Sequence, residues 1–178
     1  MRFEERGCYT GRQMEAELLG SLENPRDMPE LEKKFKEAGY IRLKDAMQVI
    51  KRHQPFEDPS DPNPRFANDL HAKVAEKLNI DNYENVRFYT AVGTYIDLAN
   101  GVDAFMEIDK DGETIFVTLD VTINSKKDSH KADVVFFVSS NGIDPKENRA
   151  EYMEKIEEVS NSVVEAFNNN LKKITRKG

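Results

Sequence analysis

The strongest constraint on the fold lies in residues 113–124, where apolar and polar side chains alternate. Because successive side chains of a strand point to opposite faces, this alternation predicts a strand with one face in the core. A second apolar-rich segment at 102–108 precedes it, and the intervening sequence DKDG is typical of a hairpin turn. We therefore expect an antiparallel hairpin, whose core-facing side chains on the second strand are Ile115, Val117, Leu119, Val121 and Ile123.

Segments with helical spacing of apolar residues lie on both sides of this hairpin. They predict helices over 11–22, 29–39, 43–53 and 65–79, and a long helix from Pro145 to about Lys172. Further strands are predicted near 86–92 and 132–138, whereas 93–101 is expected to be irregular or a short strand. This order predicts an α+β fold with a mixed four-stranded sheet flanked by helices. We expect the sheet to lie between the 65–79 helix and the C-terminal helix.

A proline-rich segment divides the chain, since four prolines fall within residues 54–64. Such a segment is typical of a linker or an extended loop. We therefore predict an N-terminal helical extension at 1–54, a linker at 55–64 and an α+β domain at 65–178.

Charge and composition limit the partners and the location. The formal net charge of −7 argues against a nucleic-acid coat protein, but not against an enzyme that contacts nucleic acid locally. No apolar run approaches the roughly 20 residues of a membrane helix, and the N-terminus has no apolar signal segment, so a cytoplasmic location without a membrane partner is expected. The single cysteine, Cys8, excludes an internal disulfide and a cysteine-based zinc site. A homodimer is compatible with the sequence.

Two acidic residues, Asp103 and Asp120, fall within the predicted hairpin strands, where acids are normally depleted. If Ile108 lies opposite Glu113, the two acids are diagonal neighbours on the face that is not core. Two phenylalanines on that face indicate that it is partly covered, which makes unpaired charge costly there. A divalent cation with oxygen ligands would balance the pair, and a solvated face is the alternative.

Three further residues have two interpretations each. Asp97 is a third metal ligand, or the first ligand in place of Asp103, or, more commonly at such a position, a turn former. His71 lies beside an apolar helical stripe, where a histidine is usually packed in the core and less often part of a site. Glu107 shares the face of the two acids but lies nearer the turn, so we expect it to be solvated.

The segments GVDAFMEI and VTLDVTINSKKDSHKADVVFFV resemble the catalytic hairpin of the PD-(D/E)XK nuclease superfamily. That restriction-endonuclease-like core consists of a helix, three strands, a helix and a strand. The resemblance matches Asp103 to the first acid of the motif and Asp120 to the second, and makes the 65–79 helix the first core helix, which often lends an acid or polar group. The usual lysine is replaced by Thr122, and Lys126 is the first choice to supply it.

The resemblance implies Mg²⁺- or Mn²⁺-dependent hydrolysis of nucleic acid phosphodiesters. Asp103, Asp120 and the carbonyl of Val121 would hold the metal, and Lys126 would orient the attacking water. The alternative is an interaction protein that keeps the fold without the chemistry, which Thr122 and the acidic net charge favour.

Overall fold

The computed structural model describes residues 10–22, 33, 37–125 and 131–176. The predicted helix at 29–39 therefore lies largely outside the described residues. A 3₁₀ turn at Tyr83–Asn85 precedes the sheet. The remaining elements, in chain order, are α1 (Gly11–Leu19), α2 (Leu43–Lys51), α3 (Arg65–Lys77), β1 (Val86–Thr90), α4 (Tyr95–Asn100), β2 (Ala104–Lys110), β3 (Glu113–Thr122), β4 (Val134–Phe137) and α5 (Arg149–Thr175).

The four strands form one sheet in the order β1-β2-β3-β4. The first three strands are antiparallel neighbours, whereas β4 runs parallel to β3. The predicted α+β fold, with a mixed four-stranded sheet flanked by helices, is therefore confirmed.

The hairpin between β2 and β3 has a tighter turn than the sequence suggested. Ile108 pairs with Ile115, and the strands are joined by Asp111 and Gly112 alone. Both turn residues have positive φ (54° and 82°), as a type I′ turn requires. The pairing is thus displaced by two residues from the expected one. A displacement of two residues keeps every side chain on its face, so the predicted faces are retained.

The apolar face of the sheet packs against α3 and α5, which also pack against each other. Our expectation that the sheet lies between these two helices is therefore wrong, because both bury their apolar stripes on the same side. Helix α1 joins this core through Met14, Leu18 and Leu19. The predicted division of the chain at 55–64 stays a prediction.

The opposite face of the sheet is covered over β1 and β2 by α2 and α4. Helix α4 forms where an irregular segment or short strand was expected. It spans six residues and ends at Gly101 in the left-handed conformation (φ 58°), which glycine adopts without steric cost. A helix this short does not contain enough residues to show helical periodicity in the sequence.

Helix α5 begins at Arg149, four residues later than predicted. The side chain of Asn148 accepts a hydrogen bond from the amide of Glu151, so Asn148 is the N-cap. Among the helices that the structure describes, none combines the length and the apolar character needed to cross a membrane.

Candidate metal centre

The structure brings Asp103 and Asp120 together on the face opposite the α3–α5 core. Asp103 immediately precedes β2, and Asp120 lies within β3. Because Ala104 pairs with Leu119, the register places the two acids opposite each other rather than diagonally. Their exposed fractions are only 2% and 3%. The hypothesis of a solvated face therefore does not hold at these positions.

Asp103 is held by hydrogen bonds from both neighbouring strands. Its amide donates to the Leu119 carbonyl (2.9 Å), and its carbonyl accepts from the Ala91 amide (2.7 Å). Its carboxyl Oδ2 accepts from the amide of Val121 (2.8 Å). Val121, whose carbonyl was expected to bind metal, thus contacts this acid through its N–H group, and that bond fixes the orientation of the carboxyl group.

Two further carboxylates reach the same point from outside the hairpin. Glu15 lies on α1, whose first turn is fixed by a capping box between Thr10 and Gln13. Asp97 lies in the first turn of α4, where its Oδ2 accepts a hydrogen bond from the amide of Gly93 (2.7 Å). One carboxylate oxygen from each of Glu15, Asp97 and Asp103 lies within 4.8 Å of the others. We call these three residues together with Asp120 the acidic cluster.

The charges in the acidic cluster oppose one another. Burial, followed by the charge of Glu15, raises the pKa of Asp103 to about 9, and Asp120 and Asp97 add to the effect. Burial also raises the pKa of Asp97, although the Gly93 amide and the charge of Arg12 act in the opposite direction. At neutral pH Asp103 therefore keeps its proton in the absence of a cation, and its carboxyl group shares a hydrogen bond with Asp97.

The donor set of the acidic cluster suits a hard cation. It offers carboxylate oxygens, which Mg²⁺, Mn²⁺ and Ca²⁺ prefer over nitrogen or sulfur ligands. The hydroxyl of Thr94, three residues before Asp97 and 1% exposed, has no hydrogen-bond partner among the described residues. Carboxylates that lie close together in a partly buried position repel one another, and a divalent ion would offset that repulsion. The cluster could therefore hold a metal ion.

Glu107 was expected to be solvated, and that expectation is wrong. Its side chain is on the same face as Asp103, but α2 covers it and leaves the residue 6% exposed. Lys51 of α2 forms a close ion pair with it, and Nε of Arg87 donates to its Oε1 at 2.8 Å. Lys51 also lies 5.4 Å from the centroid of the Tyr89 ring. Glu107 is thus a neutralised part of the α2–sheet contact.

The remaining predicted residues differ in their positions. Lys126 lies outside the described residues. His71 is 2% exposed, and its Nε2 pairs with the carbonyl of Val86. Its burial lowers the pKa of the imidazole, as for a packed core histidine. Thr122 ends β3 and is half-buried.

Sequence reasoning missed Glu15, the acid that joins the hairpin from farthest away in the chain. The only local signal is its position on the helix: Glu15 immediately follows Met14, and Leu18 and Leu19 lie three and four residues later. An acid on the flank of a buried stripe either points to solvent or takes part in a polar contact or a binding site. The sequence alone did not distinguish these alternatives.

Comparisons of the chain with protein-family models, with curated proteins and with solved structures find no match. A functional proposal therefore rests on the acidic cluster and on its place in the sheet.

Proposed function

We propose that this chain is a divalent-metal-dependent, nuclease-like protein that hydrolyses nucleic acid phosphodiesters, with the acidic cluster as its Mg²⁺ or Mn²⁺ centre. The observation that carries the proposal is the convergence of Glu15, Asp97 and Asp103 within 4.8 Å. Asp120, which is buried, adds a fourth carboxylate on the adjacent strand. Carboxylates this close together destabilise a fold through repulsion and desolvation unless a cation binds between them.

The resemblance to PD-(D/E)XK nucleases agrees with the positions of these acids. Asp103 and Asp120 come from neighbouring strands, as the motif requires, and the helix α3 precedes three antiparallel strands. A helix also contributes an acid, but it is Glu15 of α1 rather than a residue of α3. Strand β4 then returns parallel to β3.

A divalent ion bound by Glu15, Asp97 and Asp103 would stabilise charge on a scissile phosphate and lower the pKa of an attacking water. The chain's own contribution is to orient these ligands. The Val121 amide fixes the carboxyl group of Asp103, and the Gly93 amide fixes that of Asp97. Lys126, outside the described residues, is the proposed group that orients the water and offsets negative charge.

The second candidate is an interaction protein that binds metal or nucleic acid without cleaving it. The observation that favours it is Thr122, which occupies the position of the motif's lysine and carries no charge. A site without that lysine retains its carboxylate ligands but lacks a positive group at the water.

Calorimetric titration with Mn²⁺ tests the metal centre. We expect the wild-type protein to bind Mn²⁺, and Asp103→Asn and Asp120→Asn each to abolish the heat of binding. The matched control is Asp111→Asn, an identical change at an exposed turn residue, which should bind Mn²⁺ as the wild type does. No heat from the wild-type protein at millimolar Mn²⁺ would overturn the metal centre and the nuclease proposal together.

Cleavage of a labelled oligonucleotide in Mg²⁺ or Mn²⁺, with and without EDTA, separates the two candidates. A nuclease cleaves only with the ion and loses activity in Asp103→Asn. Lys126→Met should lower the cleavage rate by roughly 10²-fold without changing Mn²⁺ binding, whereas Lys127→Met should have little effect. Mn²⁺ binding without any cleavage would instead support the non-catalytic candidate.

A further inference from the structure

Within the described part of the chain, no helix covers the β4 side of the face that carries the acidic cluster. The buried apolar residues that cover this face come from α2, α4, β1, β2 and adjacent loops, and among the described residues none belongs to β4. A groove of about 400 Å³ runs over the uncovered part, between the end of β3 and the edge strand β4. Its lining includes Thr122, Val135 and Phe137.

The groove begins beside the acidic cluster. Asp120 pairs with Val135, and Thr122 pairs with Phe137, so all four side chains project from the same face. Phe137 follows Val135 by two residues, which places it about 7 Å farther along the strand. The next group of a chain molecule whose phosphate lay at the acidic cluster would therefore lie near Phe137.

The groove combines an exposed ring with a cation at its rim. Phe137 is 39% exposed, whereas Val134 and Phe136, its neighbours on β4, are buried. Lys131 is exposed beside Ala132, which lines the groove, and its Nζ lies 3.1 Å from the carbonyl of Ala99 in α4.

Asp133, an acidic residue in the lining of the groove, is hydrogen-bonded by the neighbouring strand β3. Asp133 lines the groove, and its Oδ2 accepts hydrogen bonds from the amide (2.9 Å) and the hydroxyl (2.8 Å) of Thr118. These two donors partly offset its charge, so that it opposes a phosphate chain less than a free carboxylate would.

We propose that this groove binds an unpaired base of single-stranded nucleic acid, stacked on Phe137, while the adjoining phosphate lies at the acidic cluster. The proposal rests on the proposed nuclease-like function and assigns its substrate class. A flat aromatic ring accepts any base as a stacking partner, whereas the faces of bases within a duplex are already covered by their neighbours. The volume of the groove lies within the range of small-ligand sites, which suits one nucleotide unit rather than a duplex.

Fluorescence anisotropy tests the proposal with a short labelled single strand and with the same sequence as a duplex, in the presence of Ca²⁺, a hard ion that oxygen ligands accept. The strand is checked for integrity after each titration. We expect the wild-type protein to bind the single strand at least about tenfold more tightly than the duplex. Phe137→Leu, which keeps apolar volume but removes the ring, should weaken single-strand binding by roughly tenfold, and Phe137→Tyr should restore it.

The matched control is Tyr83→Leu, because Tyr83 is an exposed aromatic residue (49%) that lines a different groove, between α3 and α5. It should leave single-strand binding unchanged. A strand with an abasic position should lose affinity for the wild-type protein and show no further loss with Phe137→Leu. Equal binding of single strand and duplex, or an unchanged affinity in Phe137→Leu, would overturn the proposal.

The outcomes distinguish this inference from the proposed function. Tight, Phe137-dependent binding of a strand that is never cleaved in Mg²⁺ or Mn²⁺ would support stacking and overturn the nuclease activity. Cleavage that does not depend on Phe137 or on strandedness would support the nuclease activity and overturn stacking. Sedimentation of the free protein as a dimer that Phe137→Leu converts to a monomer would show that a second copy covers the groove, and would overturn stacking as well.

Discussion

The buried acids near the two ends of β2 differ in the charges that surround them. Glu107, near the turn, is 6% exposed and is paired with Lys51 and Arg87. Asp103, which immediately precedes the same strand and lies on the same face, is 2% exposed, and burial together with three neighbouring carboxylates raises its pKa to about 9. At the first end, the charge of Glu107 is neutralised by side chains of the protein. The second end brings four carboxylates together, which is the composition of a site that could bind a cation.

The difference indicates which acids serve the fold and which serve a function. The elements around Glu107 neutralise its charge, because α2 supplies Lys51 and β1 supplies Arg87. At the acidic cluster the neighbouring elements α1 and α4 add Glu15 and Asp97 instead. Removing an acid should therefore destabilise the fold at one end of β2 and stabilise the metal-free fold at the other.

The largest effect is expected for Glu107→Gln, which should lower the free energy of unfolding by roughly 2–4 kcal/mol. The substitution leaves Lys51 and Arg87 without their shared counter-charge in a part-buried position. Urea denaturation measures the change, with the exposed Glu113→Gln as a control that should be neutral. A loss below about 1 kcal/mol would mean that Glu107 is not a structural ion-pair centre.

Asp103→Asn should have the opposite sign. In EDTA at neutral pH it should raise the free energy of unfolding by roughly 1–3 kcal/mol, because asparagine is neutral without having to take up a proton on folding and can still accept the hydrogen bond of the Val121 amide. Asp111→Asn, at the exposed turn, should change stability little. If Asp103→Asn destabilises the metal-free protein as Glu107→Gln does, the contrast between the two ends fails.

The pH dependence of stability tests the protonation of Asp103 more specifically than the substitution at a single pH. Folded Asp103 keeps its proton up to about pH 9, whereas in the unfolded chain it loses it near pH 4. Between these values the folded state binds more protons, so this group makes the metal-free protein less stable as the pH rises, by up to about 1.4 kcal/mol per pH unit. Below about pH 4 the contribution vanishes. Denaturation of wild type and Asp103→Asn across this range should show the steeper fall in the wild type, and parallel curves would contradict the assignment.

The smallest effect is expected for Thr94→Val, which should change stability by less than about 1 kcal/mol, in the stabilising direction. The Thr94 hydroxyl is buried with no partner among the described residues, so its removal sacrifices no hydrogen bond. Thr118→Val is the contrasting control, because the Thr118 hydroxyl bonds to Asp133 and its loss should cost roughly 1–3 kcal/mol. A large loss for Thr94→Val would indicate that this hydroxyl has a partner in solution, such as an ion or a water.

The sequence predicted the part of the site that lies within the hairpin. Alternation placed Asp103 and Asp120 on one face, and this survived a displacement of the register because two residues correspond to one full period of a strand. The turn itself was harder to predict, since DKDG is compatible with two-residue and four-residue loops. The positive φ of Asp111 and Gly112 decides between them.

Contacts between distant segments could not be predicted in the same way. Glu15 and Lys51 lie on amphipathic helices, where periodicity tells which side is buried but not which strand it meets. Without that knowledge, Glu15 looked like any helix-surface acid and Glu107 appeared solvated. Asp97 was ambiguous because α4 is a single short helix, and its role depends on the hydrogen bond from Gly93 and on the position of Asp103.

The position of Glu15 on α1 has a consequence for the connectivity of the molecule. An ion bound to Glu15 and Asp103 would act as a removable cross-link between the first helix and the sheet, and would close a loop that contains α2, α3, β1 and α4. Closing a long loop reduces the entropy of the unfolded chain, as a disulfide does. A chelator would open this link without breaking a covalent bond. A shortened chain that begins at residue 65 would keep the sheet strands but lose one end of the link.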